Sequence, residues 1–295
     1  MKQLCLPLVV KSFAKLNLYL EVLKKRKDKF HNLSTLFCRL DLADTIILKS
    51  RKDGLIKIKC SNSDVPLDKT NLGFRAAQLL KKKFRINSGI NIEIKKRIPV
   101  GAGLGGGSSN AASVLLGLNK YWNLNLSKTE LARFATKIGS DVAFFIYDTE
   151  FAIAWGRGDK IKPIDSLKKL KLWFILVYPN IKVSTPLIYQ KFDTFSGLTS
   201  PRCDVKILTS ELLKKGKRID PGLLFNDLEV VTSSFYPVVT QVKKALVAIG
   251  LEKIMMSGSG PAVFAICNSQ KQAKDLSSNL AREHKSWAVF VTCAT

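Results

Sequence analysis

A glycine-rich stretch at residues 99–112, PVGAGLGGGSSNAA, constrains the fold of this chain more than any other part, because five glycines fall within seven residues. Residues 90–96 before it alternate between apolar and polar side chains, which predicts a strand, and the residues after it have helical spacing. Glycines let another group approach the backbone closely. The start of a helix offers free N–H groups and the positive end of its dipole. The stretch therefore predicts an anion site that is best suited to phosphate.

Two better-known glycine loops do not fit this stretch. A Walker loop needs a lysine where the chain has Gly107, and no Gly-Lys-Ser or Gly-Lys-Thr follows. The dinucleotide-binding spacing Gly-x-Gly-x-x-Gly is present, but the preceding segments lack the start of a βαβ unit and the expected acidic residue. The remaining alternative is a plain loop before a helix that Ser108 or Ser109 caps.

The charge of the chain is strongly unbalanced, with 48 Lys and Arg against 23 Asp and Glu, a net charge of +25. Such an excess favours anionic partners, among them nucleic acid, acidic membrane surfaces, phosphorylated metabolites and nucleotides. A nucleic-acid-binding protein would concentrate its cations on one element, with aromatic residues between them. Here the cations are spread over almost every segment, and no helix-turn-helix, RNP or zinc signature is present. The sequence predicts a small anionic substrate and no nucleic acid partner.

The six cysteines are widely spaced without a CxxC motif, and the chain has only two histidines. This pattern favours a reduced cytoplasmic protein without a disulfide scaffold or a zinc site. The apolar run near the start is interrupted by Lys11 and Lys15, too early for a signal peptide or a membrane span. We therefore expect a cytoplasmic location and no membrane partner.

Length and pattern predict two packed α+β lobes. A chain of 295 residues, 46% of them hydrophobic, has room for one large domain or two intimate ones. The rhythm changes near residues 165–170, which divides the chain into 1–168 and 169–295, with a cleft between the lobes. Asn71 and Ser127 are placed to cap two helices. The patterns predict strands in 8–23, 45–50, 55–59, 90–96, 142–164, 172–179, 253–257, 262–267 and 288–292, and helices in 72–84, 127–138, 185–192, 206–214, 234–248 and 270–283.

Four blocks of sequence resemble the GHMP kinase superfamily, which includes galactokinase, homoserine kinase and mevalonate kinase. Residues 99–112 resemble its phosphate loop, and residues 256–264, MSGSGPAVF, resemble its third motif. Residues 14–33 and 138–145 are most similar to the branch that phosphorylates 4-diphosphocytidyl-2-C-methyl-D-erythritol. The blocks stand in family order and cover nearly the whole chain.

The resemblance implies a two-lobed GHMP kinase-like fold and an ATP-dependent reaction. ATP, with Mg²⁺, would phosphorylate the 2-hydroxyl of 4-diphosphocytidyl-2-C-methyl-D-erythritol in the non-mevalonate isoprenoid pathway. It places Asp141 as the base and Lys15 as the cation that keeps Asp141 ionised and stabilises the developing charge. The alternatives are a solvated Lys15 and an Asp141 that serves as a helix N-cap.

The resemblance also assigns the two binding sites residue by residue. His31 suits a base edge that needs both a donor and an acceptor, and Tyr189 matches an aromatic that stacks on the cytosine ring. The residues assigned to ATP are Asn71, Lys96, Pro99, Gly101, Gly103, Leu104, Gly105, Gly106, Gly107, Ser108 and Ser109. Those assigned to the substrate are Asn17, Phe30, His31, Thr185, Pro186, Tyr189, Gly258, Ser259 and Gly260.

Alternatives remain for several of these residues. His31 can be a partly buried histidine with a backbone partner, Tyr189 a core aromatic, and residues 257–261 a mere tight turn. No protein ligand of Mg²⁺ is identified, because capping by Ser108 or Ser109 is as good an account as metal binding. We expect a monomer or a weak homodimer.

The chain departs from the usual pattern of this branch at three places. Lys29 and Phe30 stand where Gly-Tyr is usual, Ala143 replaces a proline, and Asp159 stands where glutamate is common. None of these changes removes a proposed catalytic group, but the first alters the loop before His31. The closest rival function is another small-molecule kinase of the superfamily, for instance a homoserine or mevalonate kinase.

Overall fold

A computed structural model describes residues 6–196 and 204–295 and shows mixed helices and sheets, which confirms the predicted α+β class. The strands are β1 (Leu8–Lys25), β2 (His31–Arg51), β3 (Ile56–Cys60), β4 (Gly89–Lys95), β5 (Phe151–Gly156), β6 (Lys160–Pro163), β7 (Trp173–Tyr178), β8 (Phe225–Asn226), β9 (Ile254–Met256), β10 (Val263–Cys267) and β11 (Ala288–Cys293). The helices are α1 (Leu72–Lys83), α2 (Gly106–Tyr121), α3 (Lys128–Ala135), α4 (Val142–Tyr147), α5 (Thr185–Phe192), α6 (Val205–Lys215), α7 (Asp227–Phe235), α8 (Val238–Ala248) and α9 (Gln270–Glu283).

The chain forms two compact units, and each unit is assembled from separate stretches. The first contains the stretch that ends at Ala14, Leu42–Val100 and Gly105–Asp148, and the second contains Lys15–Asp41, Gly101–Leu104 and the chain from Thr149 onward. Strands β1 and β2 and the glycine-rich stretch therefore each contribute to both units. The boundary predicted between residues 168 and 169 lies inside the second unit, and the division into residues 1–168 and 169–295 stays a prediction.

The first unit combines a sheet in the order β3-β4-β2 with helices α1 to α4. β4 pairs antiparallel with the end of β2 and parallel with β3. As the alternation predicts, Ile90, Ile92 and Ile94 of β4 are buried. Helix α2 packs against α1 and α4. Two predicted caps are confirmed here: Asn71 caps α1, and Ser127 forms a capping box with Glu130 at α3.

The second unit contains an antiparallel sheet in the order β11-β7-β10-β9. Helices α8 and α9 pack against this sheet, and the core between them includes Ile175, Val177, Val242 and Leu280. In the same unit, the end of β1 pairs parallel with β8, and the start of β2 pairs antiparallel with β5. These pairings fix the parts of β1 and β2 that lie in or next to the opening sequence block, residues 14–33.

Two sequence predictions of secondary structure were wrong, and one predicted strand is much longer than expected. Residues 142–147 form helix α4 rather than a strand, because a short apolar run does not show whether it is a buried helix or a buried strand. The single helix predicted at 234–248 is two helices, since Pro237 lacks the N–H that a continuous helix needs. The strand predicted at residues 45–50 is the end of β2, which is 21 residues long. The earlier part of β2 was missed because its middle is buried without the alternation that marks a strand.

None of the helices in the described part of the chain is long and apolar enough to cross a lipid bilayer. The cytoplasmic location and the absence of a membrane partner stay predictions.

Candidate active site

The glycine-rich stretch leads directly into α2, and this helix begins without a capping side chain among the described residues. Its N-cap is Gly105, whose φ of 69° and ψ of 15° lie in the left-handed region that favours glycine. The first helical hydrogen bond runs from the Ser109 N–H to the Gly105 carbonyl, at 2.8 Å. The N–H groups of Gly106, Gly107 and Ser108 precede that bond. Capping by Ser108 or Ser109 is therefore ruled out, and the geometry fits the predicted anion site.

The hydroxyl of Ser109 is held inside the first unit. It accepts a hydrogen bond of 2.8 Å from Ser12, which in turn accepts one of 2.8 Å from the Asn110 side chain. Ser108, one residue earlier, is half-buried. Of the two serines assigned to ATP, Ser108 therefore has the more accessible hydroxyl.

Asp44 is a buried carboxylate that ties the strand before the glycine-rich stretch to the helix after it. Its oxygens form an ion pair with Lys96 and accept hydrogen bonds from the Arg97 and Ile98 N–H groups at 2.7 and 2.9 Å. The Asn110 side chain donates a further bond of 2.9 Å. Asp44 has no exposed surface, so its carboxylate is shielded from water and depends on these partners.

Lys96 lies next to the first residue of α2. A Cβ added to Gly106 would be 3.1 Å from the Lys96 Nζ atom. The structure thus places this predicted ATP residue beside the helix start, where its ammonium is held by Asp44. Sequence reasoning missed Asp44; the available signal was an acidic residue within the apolar run LDLADTIIL, since acids in such runs are rarely buried unless paired.

Lys15 is buried in the second unit, with only 4% of its surface exposed. Its Nζ atom donates a 2.6 Å hydrogen bond to Asn17 Oδ1 and lies 5.3 Å from the centre of the Phe37 ring. The Asn17 amide is itself fixed, because its Nδ2 donates to Thr35 at 2.8 Å. The alternative that Lys15 is a solvated lysine is wrong. Thr35 was not found from the sequence, because it bonds Asn17 across two different strands.

The glycine-rich stretch, the opening block and the turn at residues 257–261 meet in the second unit. A Cβ at Gly103 would lie 2.2 Å from the Ser257 carbonyl oxygen, and the Ser257 hydroxyl donates to the Gly103 carbonyl at 3.2 Å. A Cβ at Gly258 would lie 3.3 Å from Asn17 Oδ1 and 3.4 Å from Lys15 Nζ. Three motifs that are far apart in sequence are therefore in direct contact.

Asp141 is the N-cap residue of α4 in the first unit, with an α-helical backbone (φ −74°, ψ −11°). Within the described chain its side chain makes no capping hydrogen bond to this helix. The alternative that Asp141 serves as a side-chain cap is therefore wrong. Its catalytic role stays a prediction.

His31 belongs to an aromatic cluster of the second unit. Its Nε2 atom is 2.8 Å from the Asp193 Oδ1 atom, so its partner is a carboxylate rather than the backbone group of the alternative interpretation. Its ring stacks on Tyr189 with centroids 5.6 Å apart, and the Phe192 ring stands nearly perpendicular to it with centroids 6.1 Å apart. The structure thus brings together two residues that the sequence assigned to the cytosine ring. It adds Asp193, which sequence reasoning missed because nothing local marks it.

The turn before His31 shows what the departure from Gly-Tyr means. Lys29 has a φ of 68°, in the left-handed region where glycine costs least, so the backbone keeps the shape that the usual glycine would allow. Phe30 is 51% exposed, and its ring centre lies 5.1 Å from the Arg157 guanidinium carbon. Arg157 also pairs with Asp159 at 3.2 Å.

Other predicted residues divide between contacts within the protein and exposed positions. Thr185 Oγ1 lies 2.7 Å from the Ser259 hydroxyl, which connects the start of α5 to the turn at 257–261. Asn71 is buried and its side chain is used by the fold, since it caps α1 and donates to the Pro66 carbonyl at 2.7 Å. Leu104 is buried, Gly260 is buried at a cis peptide bond to Pro261, Pro99 is half-buried, and Gly101, Gly107 and Pro186 are exposed.

Comparison with known proteins agrees with these observations. The sequence profiles described as GHMP kinases N terminal domain and GHMP kinases C terminal match residues 71–149 and 210–286. The 4-diphosphocytidyl-2-C-methyl-D-erythritol kinase of Shouchella clausii is 42% identical over 92% of this chain and 89% of its own length. A crystal structure of 4-(cytidine 5'-diphospho)-2C-methyl-D-erythritol kinase has a TM-score of 0.81 at 30% identity, covering 98% of this chain and 100% of that one. A homoserine kinase from Cytophaga hutchinsonii has a TM-score of 0.70 at 18% identity, covering 97% and 94%, and shows the fold alone.

Replacing Gly103 by alanine should lower the free energy of unfolding by about 2 kcal/mol or more, because the new Cβ meets a backbone carbonyl and the left-handed φ of 77° strains any side chain. Gly107→Ala is the matched control. Its Cβ would have an ordinary 3.8 Å contact with Leu72, and alanine favours a helix by up to about 1 kcal/mol. Urea denaturation of both variants measures the difference. A Gly103→Ala protein as stable as the wild type would contradict the close approach.

Asp44→Asn should destabilise the protein by about 3–5 kcal/mol, because it leaves the Lys96 ammonium buried without its counter-charge. The double variant with Lys96→Met removes both charges and should recover a large part of that loss. The same urea series on the two single variants and the double variant gives the coupling. If Asp44→Asn and the double variant lose the same free energy of unfolding, the unpaired Lys96 charge is not the cause of the destabilisation.

Proposed function

The chain belongs to the 4-diphosphocytidyl-2-C-methyl-D-erythritol kinases of the GHMP kinase superfamily, and we propose that it transfers the γ-phosphoryl group of ATP to the 2-hydroxyl of 4-diphosphocytidyl-2-C-methyl-D-erythritol in isoprenoid synthesis. The reaction requires a site for the phosphates of ATP, a base for the hydroxyl and positive charge near the transferred group. The observation that carries the proposal is the contact of Lys15 and Asn17 with the turn at Gly258, in a chain 42% identical to a named kinase.

In this proposal, the phosphates of ATP bind at the start of α2. The N–H groups of Gly106, Gly107 and Ser108 precede the first helical hydrogen bond, and the helix dipole adds positive charge at that end. Lys96, held beside Gly106 by Asp44, adds a fixed cation. The backbone of α2 and the Asp44 carboxylate hold these groups in place, and charge is stabilised most effectively by donors that are already positioned.

Asp141 acts as the base that accepts the proton of the 2-hydroxyl as its oxygen attacks the γ-phosphorus. The resemblance of residues 138–145 to this branch of kinases supports this role. Lys15 stabilises the negative charge that develops on the transferred phosphoryl oxygens. Because Lys15 is buried and oriented by Asn17, its charge acts with little screening by water.

Mg²⁺ would neutralise charge on the β- and γ-phosphates when it is bound with ATP. Among the described residues there is no group of three or more His, Cys, Asp or Glu side chains that would form a complete protein site. This fits Mg²⁺, which commonly keeps several waters and takes only one or two protein ligands beside phosphate oxygens. The Ser108 hydroxyl, in the first turn of α2, is the protein oxygen that we assign to it.

The cytosine ring of the substrate would bind at the aromatic cluster of the second unit. Tyr189 offers a ring face and His31 a polar edge, and exposed Phe30 lies on the turn before His31. A homoserine or mevalonate kinase has no use for this cluster, which is the reason to prefer the cytidine substrate. The net charge of +25 would help to attract two anionic nucleotides. We propose a monomer or weak homodimer in the cytoplasm that has no nucleic acid partner.

Coupled ADP release should show turnover with 4-diphosphocytidyl-2-C-methyl-D-erythritol and none with homoserine or mevalonate. Asp141→Asn should lower kcat by about 10²–10⁴-fold, since an amide cannot accept the hydroxyl proton. Lys15→Met should lower kcat by at least about 10²-fold through the lost charge.

Asp275→Asn, an exposed substitution on α9, serves as the matched control and should keep wild-type turnover. Unchanged turnover of Asp141→Asn would overturn the assignment of the base. Turnover only with another alcohol would overturn the substrate.

A further inference from the structure

Asp193 links the end of α5 to the two strands that carry the opening sequence block. Its Oδ1 atom lies 2.8 Å from His31 Nε2, and its Oδ2 atom accepts a 2.5 Å bond from Lys25 Nζ. Lys25 is the last residue of β1 and His31 is the first residue of β2. Asp193 follows directly after α5, the helix that carries Tyr189. One carboxylate therefore contacts both strand ends beside the aromatic cluster.

The chemistry of this contact determines which nitrogen of His31 carries the proton. Partial burial raises the pKa of the Asp193 carboxyl, but the hydrogen bonds from Lys25 and His31 lower it by more, so the pKa lies below its ordinary value. An ionised carboxylate only accepts hydrogen bonds, so His31 Nε2 must be the donor. In a neutral imidazole the other nitrogen, Nδ1, is then a bare acceptor.

The His31 ring is also fixed in orientation. Its side chain is only 6% exposed, with Tyr189 stacked on its face and the Phe192 ring nearly perpendicular to it. A flip of the ring would place Cε1 where Nε2 now stands and break the bond to Asp193. Both packing and hydrogen bonding therefore keep Nε2 on the carboxylate and leave Nδ1 on the other side of the ring.

We propose that Asp193 is a positioning residue for base specificity: by fixing the Nε2–H tautomer of His31, it leaves Nδ1 as an acceptor for the 4-amino group of cytosine. Uracil carries a carbonyl oxygen at that position, so two acceptors would face each other and a uridine nucleotide would be rejected. A site built around a donor on the ligand rejects an analogue that lacks it, because the protein group is left unpaired. This inference rests on the proposed function, since it concerns the cytidine part of that substrate.

The tautomer can be measured directly, because the chain has two histidines, His31 and His284. In a ¹⁵N-labelled protein, with His284→Asn used for assignment, His31 should be in the Nε2–H form. Asp193→Asn is nearly isosteric but offers either an oxygen or an NH₂ group, so the Nδ1–H form should become populated. Lys25→Met keeps the carboxylate and should leave the tautomer unchanged. A wild-type His31 in the Nδ1–H form would overturn the proposal.

Specificity is tested by equilibrium binding of CDP and UDP and by kcat/KM for the cytidine substrate and its uridine analogue. The wild type should prefer cytidine, and Asp193→Asn should reduce this preference about tenfold or more, chiefly by admitting the uridine ligand. The control Asp275→Asn should keep the wild-type ratio. An Asp193→Asn protein that folds normally and keeps the full preference would overturn the inference.

The binding measurement separates this inference from the proposed function. If neither nucleotide substrate is phosphorylated but the CDP preference still depends on Asp193, the proposed function fails and the inference holds. If the kinase activity is confirmed and the preference does not depend on Asp193, only the inference fails.

Discussion

The close approach of two backbone segments at Gly103 is the constraint on which the candidate site in the second unit depends. The Ser257 carbonyl occupies the space where a side chain at residue 103 would begin, so the glycine-rich stretch and the turn at 257–261 pack main chain against main chain. Gly258 of this turn lies against Asn17 and the Lys15 ammonium. A side chain at Gly103 would push these two segments apart, and one at Gly258 would crowd Asn17 and the Lys15 ammonium. Gly103 therefore has a structural task in addition to the phosphate site that we propose for this stretch.

Two buried cations, Lys96 and Lys15, are held by different chemistry in the two units. Lys96 has the Asp44 carboxylate as its counter-ion, and that carboxylate also accepts two backbone N–H groups and an Asn110 amide. Lys15 donates to a neutral amide and lies over an aromatic ring. Burying an ammonium costs several kcal/mol before its partners offset that cost. Such groups are poor sources of stability, and the proposed function gives them a use as fixed positive charges for phosphoryl transfer.

The sequence predicted those features whose causes are local. The caps at Asn71 and Ser127 and the alternation of β4 depend on neighbouring residues, and the structure confirms each of them. The prediction of a strand at residues 142–147 was wrong, because the burial of α4 on all sides erases the periodicity that tells a helix from a strand. The motifs of the site were found through resemblance, but their supports were not. Asp44, Thr35 and Asp193 act across 52, 18 and 162 residues of sequence, and no local pattern encodes such a partnership.

The few acidic residues of this chain include several carboxylates that hold other groups in position. With 23 acidic residues against 48 Lys and Arg, every carboxylate in this chain has cations available to pair with. The role of a carboxylate therefore depends on where it lies in the fold. Asp44 holds a lysine and two backbone N–H groups, and the buried Asp227 accepts the Val22 N–H at 2.7 Å. Asp193 accepts from a lysine and a histidine. By contrast, the exposed pair of Asp53 with Arg51 lowers the pKa of Asp53 to about 2, yet such surface pairs contribute little to stability. Acidic residues thus supply much of the specific positioning, whereas most cations contribute a diffuse positive field that attracts anionic nucleotides and weakens with salt.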